Sequence, residues 1–201
     1  MQRFFVHVHV LVLVLVLVGK ARATTCGELV REAESHESAH EDDIAARRYT
    51  EALTLDSTCQ KAYLGLAALR VRQGDGREAE RVASVALDHI PTMREALAHL
   101  ARGKWIQGKR DDAERDLETY ARETDDRSAW RELAGWYEKE GKTPAQLGVW
   151  RRLLVLDPDS KEARTMVKAL ALVVSLADPV TSPAHETPTR KLIRQLSQNA
   201  R

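Results

Sequence analysis

The stretch Gln60–Met93, QKAYLGLAALRVRQGDGREAERVASVALDHIPTM, decides the architecture. Its first half carries Tyr63, Leu66, Ala67 and Leu69 at helical spacing, and its second half carries Ala79, Val82, Ala83, Ala86 and Leu87 in the same way. Between them Gly74-Asp75-Gly76 stops one helix and starts another, and Pro91 closes the second. The stretch reads as an antiparallel helix pair, with alanines where two helices approach closely.

The pattern recurs on both sides. Ala33, Ala67 and Ala101 stand 34 residues apart, and Ala134 follows after 33. Ala45, Ala79 and Ala113 form a second row, and Ala52, Ala86, Tyr120 and Leu153 a third. A fixed period of this length marks a stacked repeat array. It predicts helix pairs over 26–40 and 43–56, 60–73 and 76–89, 94–107 and 110–123, and 127–140 and 143–156, then a ninth helix over 161–177.

These residues resemble the tetratricopeptide repeat family. The match is carried by Leu66, Ala67, Gly74, Ala79, Ala86 and Pro91; by Ala33, Ala45, Tyr49, Ala52 and Leu55-Asp56; by Leu100, Ala101, Gly108 and Ala113; and by Trp130, Leu133, Ala134, Tyr137, Gly141 and Leu156-Asp157-Pro158. The resemblance implies an all-α, right-handed α-solenoid of four hairpins, with repeats at about 26–59, 60–93, 94–126 and 127–160 and a C-terminal capping helix at 161–177. Three departures stand out. Lys104 replaces a usual aromatic, Gln146 replaces the second-helix alanine, and Ser57 and Asp125 replace the closing proline, so units one and three are expected to end less sharply.

The resemblance further implies a concave groove, lined by the first helix of every pair, in which extended or helical peptides bind. Helical spacing then nominates Leu64, Ala68, Val71, Arg72, Arg102, Trp105, Ile106, Arg131 and Lys139 as partner-binding residues. A tryptophan between arginines has the composition of a recognition hot spot; the alternative for Trp105 is packing between hairpins. Val30 and Glu34 stand where relatives that grip a chaperone's C-terminal carboxylate place Lys and Asn, so that partner is not expected. The parallel stacking of the family also sets Cys26 and Cys59 at neighbouring helix starts, and a disulfide between them is expected.

Outward from the repeats, the N-terminus reads as an export signal. Met1–Arg3 is basic, Phe4–Val18 is apolar apart from His7 and His9, and Ala21-Arg22-Ala23 fits signal peptidase cleavage before Thr24. The apolar run falls short of the ~20 residues of a spanning helix, so no stable membrane insertion is expected after cleavage. A secreted or periplasmic location follows, one that favours the disulfide. Residues 24–201 hold 28 basic and 30 acidic residues, a balance that gives no reason to expect a nucleic-acid partner.

One motif points to chemistry. His36-Glu37-Ser38-Ala39-His40 fits the H-E-x-x-H pattern, in which two histidines one helical turn apart hold zinc and the glutamate activates water. In the repeat register, however, His40 falls at the interhelix turn, where Gly74, Gly108 and Gly141 stand in the other units. Ser35, Glu41, Asp42 and Asp43 flank the motif, and no third ligand follows at a usual spacing. Neither a phosphate-binding glycine loop nor a G-x-S-x-G elbow occurs, and no cofactor or metal is expected. The expectation is a non-enzymatic scaffold or adaptor that binds protein or peptide partners. The alternatives are a zinc hydrolase using His36, Glu37 and His40, and a chaperone-like holder of secreted subunits.

The C-terminal region poses its own problem. Ala169–Ala177 is apolar nearly all round, and a helix of that kind is normally buried all round. After Pro179, Pro183 and Pro188, the segment Thr189–Arg201 reads as a short basic amphipathic helix through Leu192, Ile193 and Leu196. That tail, or a homodimer formed through the same cap helix of a second copy, is the expected cover.

Overall fold

In the computed structural model, which describes residues 24–177, the chain enters its first helix through a reciprocal cap. The Glu28 amide donates to Thr25 Oγ1 at 3.2 Å, and the Thr25 amide donates to the Glu28 carboxylate at 3.1 Å. The expected signal segment, its cleavage site and the basic tail lie outside the described residues.

Among the described residues there are nine helices and no strand. They are α1 (Cys26–Ser38), α2 (Asp42–Leu55), α3 (Gln60–Arg72), α4 (Gly76–His89), α5 (Arg94–Ile106), α6 (Arg110–Thr124), α7 (Arg127–Lys139), α8 (Thr143–Leu156) and α9 (Lys161–Ala177). Each lies within two residues of the span predicted from periodicity.

One backbone device closes all four first helices. The amide after each turn residue reaches back to a helix carbonyl, as in Glu41 to His36, Asp75 to Arg70, Lys109 to Lys104 and Lys142 to Tyr137. This is the Schellman closure, and it needs a left-handed residue at its corner. The corners are His40 (φ 60°), Gly74 (74°), Gly108 (79°) and Gly141 (66°). A Cβ added at any of the three glycines would meet no atom within 4 Å, so the constraint there is conformational, not spatial. His40 carries that constraint with a side chain. His40→Gly should therefore raise stability by about 1 kcal/mol, read as a higher denaturant midpoint at unchanged helicity; an unchanged or lower midpoint would show that the corner holds no strain.

The helices pack in sequence, each first helix on the second helix of the preceding pair. One buried cluster joins α1 to α4, with Leu69 fully buried, and extends to Met93 and Ala96; another joins α5 to α9 around Leu117 and Leu133. They adjoin where α4 crosses α5 at close range. A Cβ on Gly103 would lie 2.7 Å from the Glu80 amide nitrogen and 2.9 Å from the Gly76 carbonyl oxygen. The Gln107 side-chain amide donates to the Gly76 carbonyl at 3.0 Å across the same crossing.

The departures from the repeat pattern resolve individually. Unit one ends at Leu55, in register with the end of α4 at His89, because Asp56 takes over the closing role: its carboxylate accepts from the Thr58 amide and hydroxyl at 2.9 and 2.7 Å. Unit three runs one residue longer and turns at Asp125, whose φ is 53°. Lys104 meets Asp116 of its own hairpin at 2.6 Å, so an ion pair replaces the usual aromatic. Gln146 is buried in place of alanine.

Cys26 and Cys59 are joined, as expected, with Cα atoms 6.4 Å apart. The bridge ties the starts of α1 and α3 side by side. At the other end α9 buries Ala163 and Leu170 and leaves Leu172, Val173 and Leu176 exposed at 60, 50 and 71%. Among the described residues no helix is long and apolar enough to cross a membrane.

Candidate partner-binding face

The nominated residues fall on α3, α5 and α7, the first helices of units two, three and four. Leu64, Ala68 and Val71 are half-buried on α3, and Ile106 at the end of α5 is 39% exposed. These apolar residues are open to a partner. The cations among them are largely engaged within the chain.

Arg102 holds Glu132 of α7 through a bidentate contact, with its Nε 3.0 Å from both carboxylate oxygens and Nη2 2.7 Å from one. Arg72 reaches back to unit one and donates to Glu37 and Asp42, both at 3.0 Å. Arg131 reaches forward to Glu162 of α9 at 3.2 Å. Lys139 is exposed at the end of α7.

Trp105 is seated between two partners. Its ring lies parallel to Trp136 of α7 at 4.4 Å between centroids, and the Arg110 guanidinium sits 3.9 Å above its other face. Trp105 therefore clamps unit three to unit four and leaves an edge accessible. Trp105→Ala should lower stability by about 2–3 kcal/mol, measured by urea unfolding; an unchanged midpoint would argue that the ring serves a partner instead.

Sequence reasoning missed Glu132, Trp136 and Arg110, the residues that occupy Arg102 and Trp105. Next to this set lies His99 on α5, where burial, reinforced by Arg102, pushes its pKa down to about 4 and keeps it uncharged near neutrality. On the second-helix side a cleft of about 600 Å3 runs between α6 and α8, with Trp130, Tyr137 and Gly148 in its lining.

The H-E-x-x-H residues are drawn apart. α1 ends at Ser38, so His36 lies in the helix while His40 sits beyond it in the left-handed turn. His36 Nδ1 is 2.6 Å from the Glu41 carboxylate, and Glu37 accepts from Arg72. The Tyr49 hydroxyl also faces Glu37; burial first, and then this carboxylate, push its pKa up. Among the described residues no group of three or more His, Cys, Asp or Glu side chains is placed to hold a metal ion.

Family models and curated proteins give no match to this chain. Solved structures do. MamA aligns over 84% of this chain and 97% of its own, at TM-score 0.60 and 15% identity. A thermophilic tetratricopeptide protein from Thermus thermophilus aligns over 76% and 84%, at TM-score 0.61 and 18% identity. The fold is that of a tetratricopeptide-repeat array. YrrB, described as a tetratricopeptide protein with an unusual peptide-binding site, aligns over 73% of this chain and 76% of its own, at TM-score 0.56 and 20% identity. In tetratricopeptide terms α1, α3, α5 and α7 are the groove-lining helices, and α9 stands where a fifth such helix would begin.

Proposed function

We propose that this protein is a non-enzymatic scaffold that acts outside the cytoplasm and holds a peptide or protein segment against its groove-lining helices. The tetratricopeptide fold supports a binding role. The observation that carries the reading is the division of the groove into free apolar and engaged basic residues. Leu64, Val71, Ile106 and the edge of Trp105 are available, while Arg72, Arg102 and Arg131 are met by carboxylates of neighbouring repeats.

A partner is then recognised chiefly by apolar side chains, with Lys139 as the cation left to orient it. An acidic ligand would have to displace existing ion pairs, and at the partly buried Arg102–Glu132 pair that leaves a charge unmet. Apolar anchors at the centre of an interface supply most of its affinity. Export accords with the Cys26–Cys59 bridge and the apolar N-terminal run.

A photo-crosslinking residue placed at Ile106 should trap the partner in cells that make the protein, while one at Gly148 on the opposite face should not. Crosslinks from Gly148 alone would move the binding face to the second-helix side and defeat this reading.

A further inference from the structure

Among the described residues the array has two open ends, and they carry opposite charge. Residues 26–59 hold nine acidic and three basic residues, a formal charge of −6. Residues 60–160 hold eighteen of each, and the cap helix, residues 161–177, holds three basic and one acidic, a charge of +2. Charge of one sign is thus gathered at each end of a neutral body.

Repeat arrays are normally closed by polar outer faces. Here the C-terminal end presents Leu172, Val173 and Leu176 at 50–71% exposure, with Lys161, Arg164 and Lys168 exposed along the first half of the same helix. The N-terminal end presents a groove of about 820 Å3 between α1 and α2, in whose lining are Leu29, Glu32, Arg48, Glu51 and Leu55. Leu55 is 56% exposed there. Arg48 bridges Glu32 at 3.3 Å and Glu51 at 2.7 Å, so two carboxylates share one cation and the groove keeps a negative excess.

The repeat register explains why this groove is open. Leu29 and Glu51 correspond to Trp130 and Arg152 of unit four, where the equivalent cleft is flanked by Glu118 and Arg122 of the preceding second helix, α6. Among the described residues no hairpin precedes α1. The groove is a docking place for a helix that the described residues do not supply.

We propose that the exposed face of α9 in one copy docks in the α1/α2 groove of the next, so that the protein assembles head to tail. The occupant is a second copy because this chain carries both halves of the match, apolar against apolar and a basic cap helix of +2 against an acidic first unit of −6. A twofold contact of α9 with α9 would instead bring two basic helices together and leave the acidic groove unfilled. Nor do the ends neutralise each other within one copy. Five groove-lining helices at about 10 Å spacing put them about 40 Å apart, well beyond the screening length of about 8 Å at physiological salt. A head-to-tail contact does not close on itself, so it extends into a filament unless the superhelix happens to close a ring.

The test uses the chain from Thr24 to Arg201. Its mass by light scattering should rise with concentration and fall back to the monomer as salt approaches about 1 M. Leu172→Gln with Leu176→Gln blocks one end, and Glu51→Arg with Leu55→Arg blocks the other. All four positions are exposed, so both variants should keep the parent's helicity. Each should be monomeric alone, and their equal mixture should give a dimer and nothing larger, because only one compatible pair of ends remains. A groove variant that dimerises by itself would establish the twofold contact and overturn the proposal. So would a parent chain that assembles only after removal of residues 178–201, which would make the tail the cover of α9. A parent that stays monomeric but sediments with phosphatidylserine vesicles would overturn it in favour of a lipid surface, and a parent monomeric under all these conditions would overturn it outright.

Discussion

Replacing Gly103 with valine should destabilise the array by about 3 kcal/mol, and even Gly103→Ala should destabilise it by about 1 kcal/mol net. On helix propensity alone the alanine variant would be the more stable protein, since glycine inside a helix is worth about 1 kcal/mol less than alanine. The crossing of α4 and α5 reverses the sign. The atoms an added Cβ would strike, Glu80 N at 2.7 Å, the Gly76 carbonyl oxygen at 2.9 Å and Glu80 Cα at 3.1 Å, all belong to backbone. Backbone inside a helix cannot yield alone, so the two helices must separate and the Gln107 bond to Gly76 must stretch.

Gly135 on α7 is the control. A Cβ there meets nothing within 4 Å, so Gly135→Ala should gain about 1 kcal/mol from propensity. Thermal melts followed by circular dichroism separate the cases. A Gly103→Ala protein that outlasts its parent would mean the crossing tolerates separation.

Removing the disulfide should have an effect of similar size but a different form. Cys26→Ser combined with Cys59→Ser releases a loop closed over a sequence separation of 33, which corresponds to about 3–4 kcal/mol of unfolded-state entropy. The loss should fall on one end of the molecule, because among the described residues α1 and α2 make substantial contacts only with each other and with α3. All four tryptophans, Trp105, Trp130, Trp136 and Trp150, lie in units three and four. Unfolding of the variant followed by circular dichroism should thus begin at lower denaturant than unfolding followed by tryptophan fluorescence, a departure from two-state behaviour. Coincident, unshifted transitions would show that the bridge adds nothing, and two free thiols in non-reduced protein would remove it altogether.

The elements of this fold were legible in sequence because a repeat states its pattern several times. His40 illustrates it: in isolation it completes a metal motif, but in register it falls on the corner that three glycines occupy, and the backbone agrees. The occupation of the proposed binding face was less legible for a geometric reason. Arg102 meets Glu132 across 30 residues and Trp105 meets Trp136 across 31, spacings that match neither a helical turn nor the 34-residue period. They arise where a residue late in one first helix faces a residue nearer the middle of the next. Gly103 was illegible in the same way, since within α5 it reads only as a weak helix former.

The locality of the packing also bears on time. Among the described residues, substantial contacts join only helices that are one or two places apart along the chain. No contact waits on the closure of a loop much longer than one repeat, and closure entropy grows only with the logarithm of loop length. Topologies of this kind fold in micro- to milliseconds. A chain delivered N-terminus first would complete each hairpin before the next arrived, and the bridged first pair would be waiting as the surface on which the rest condenses.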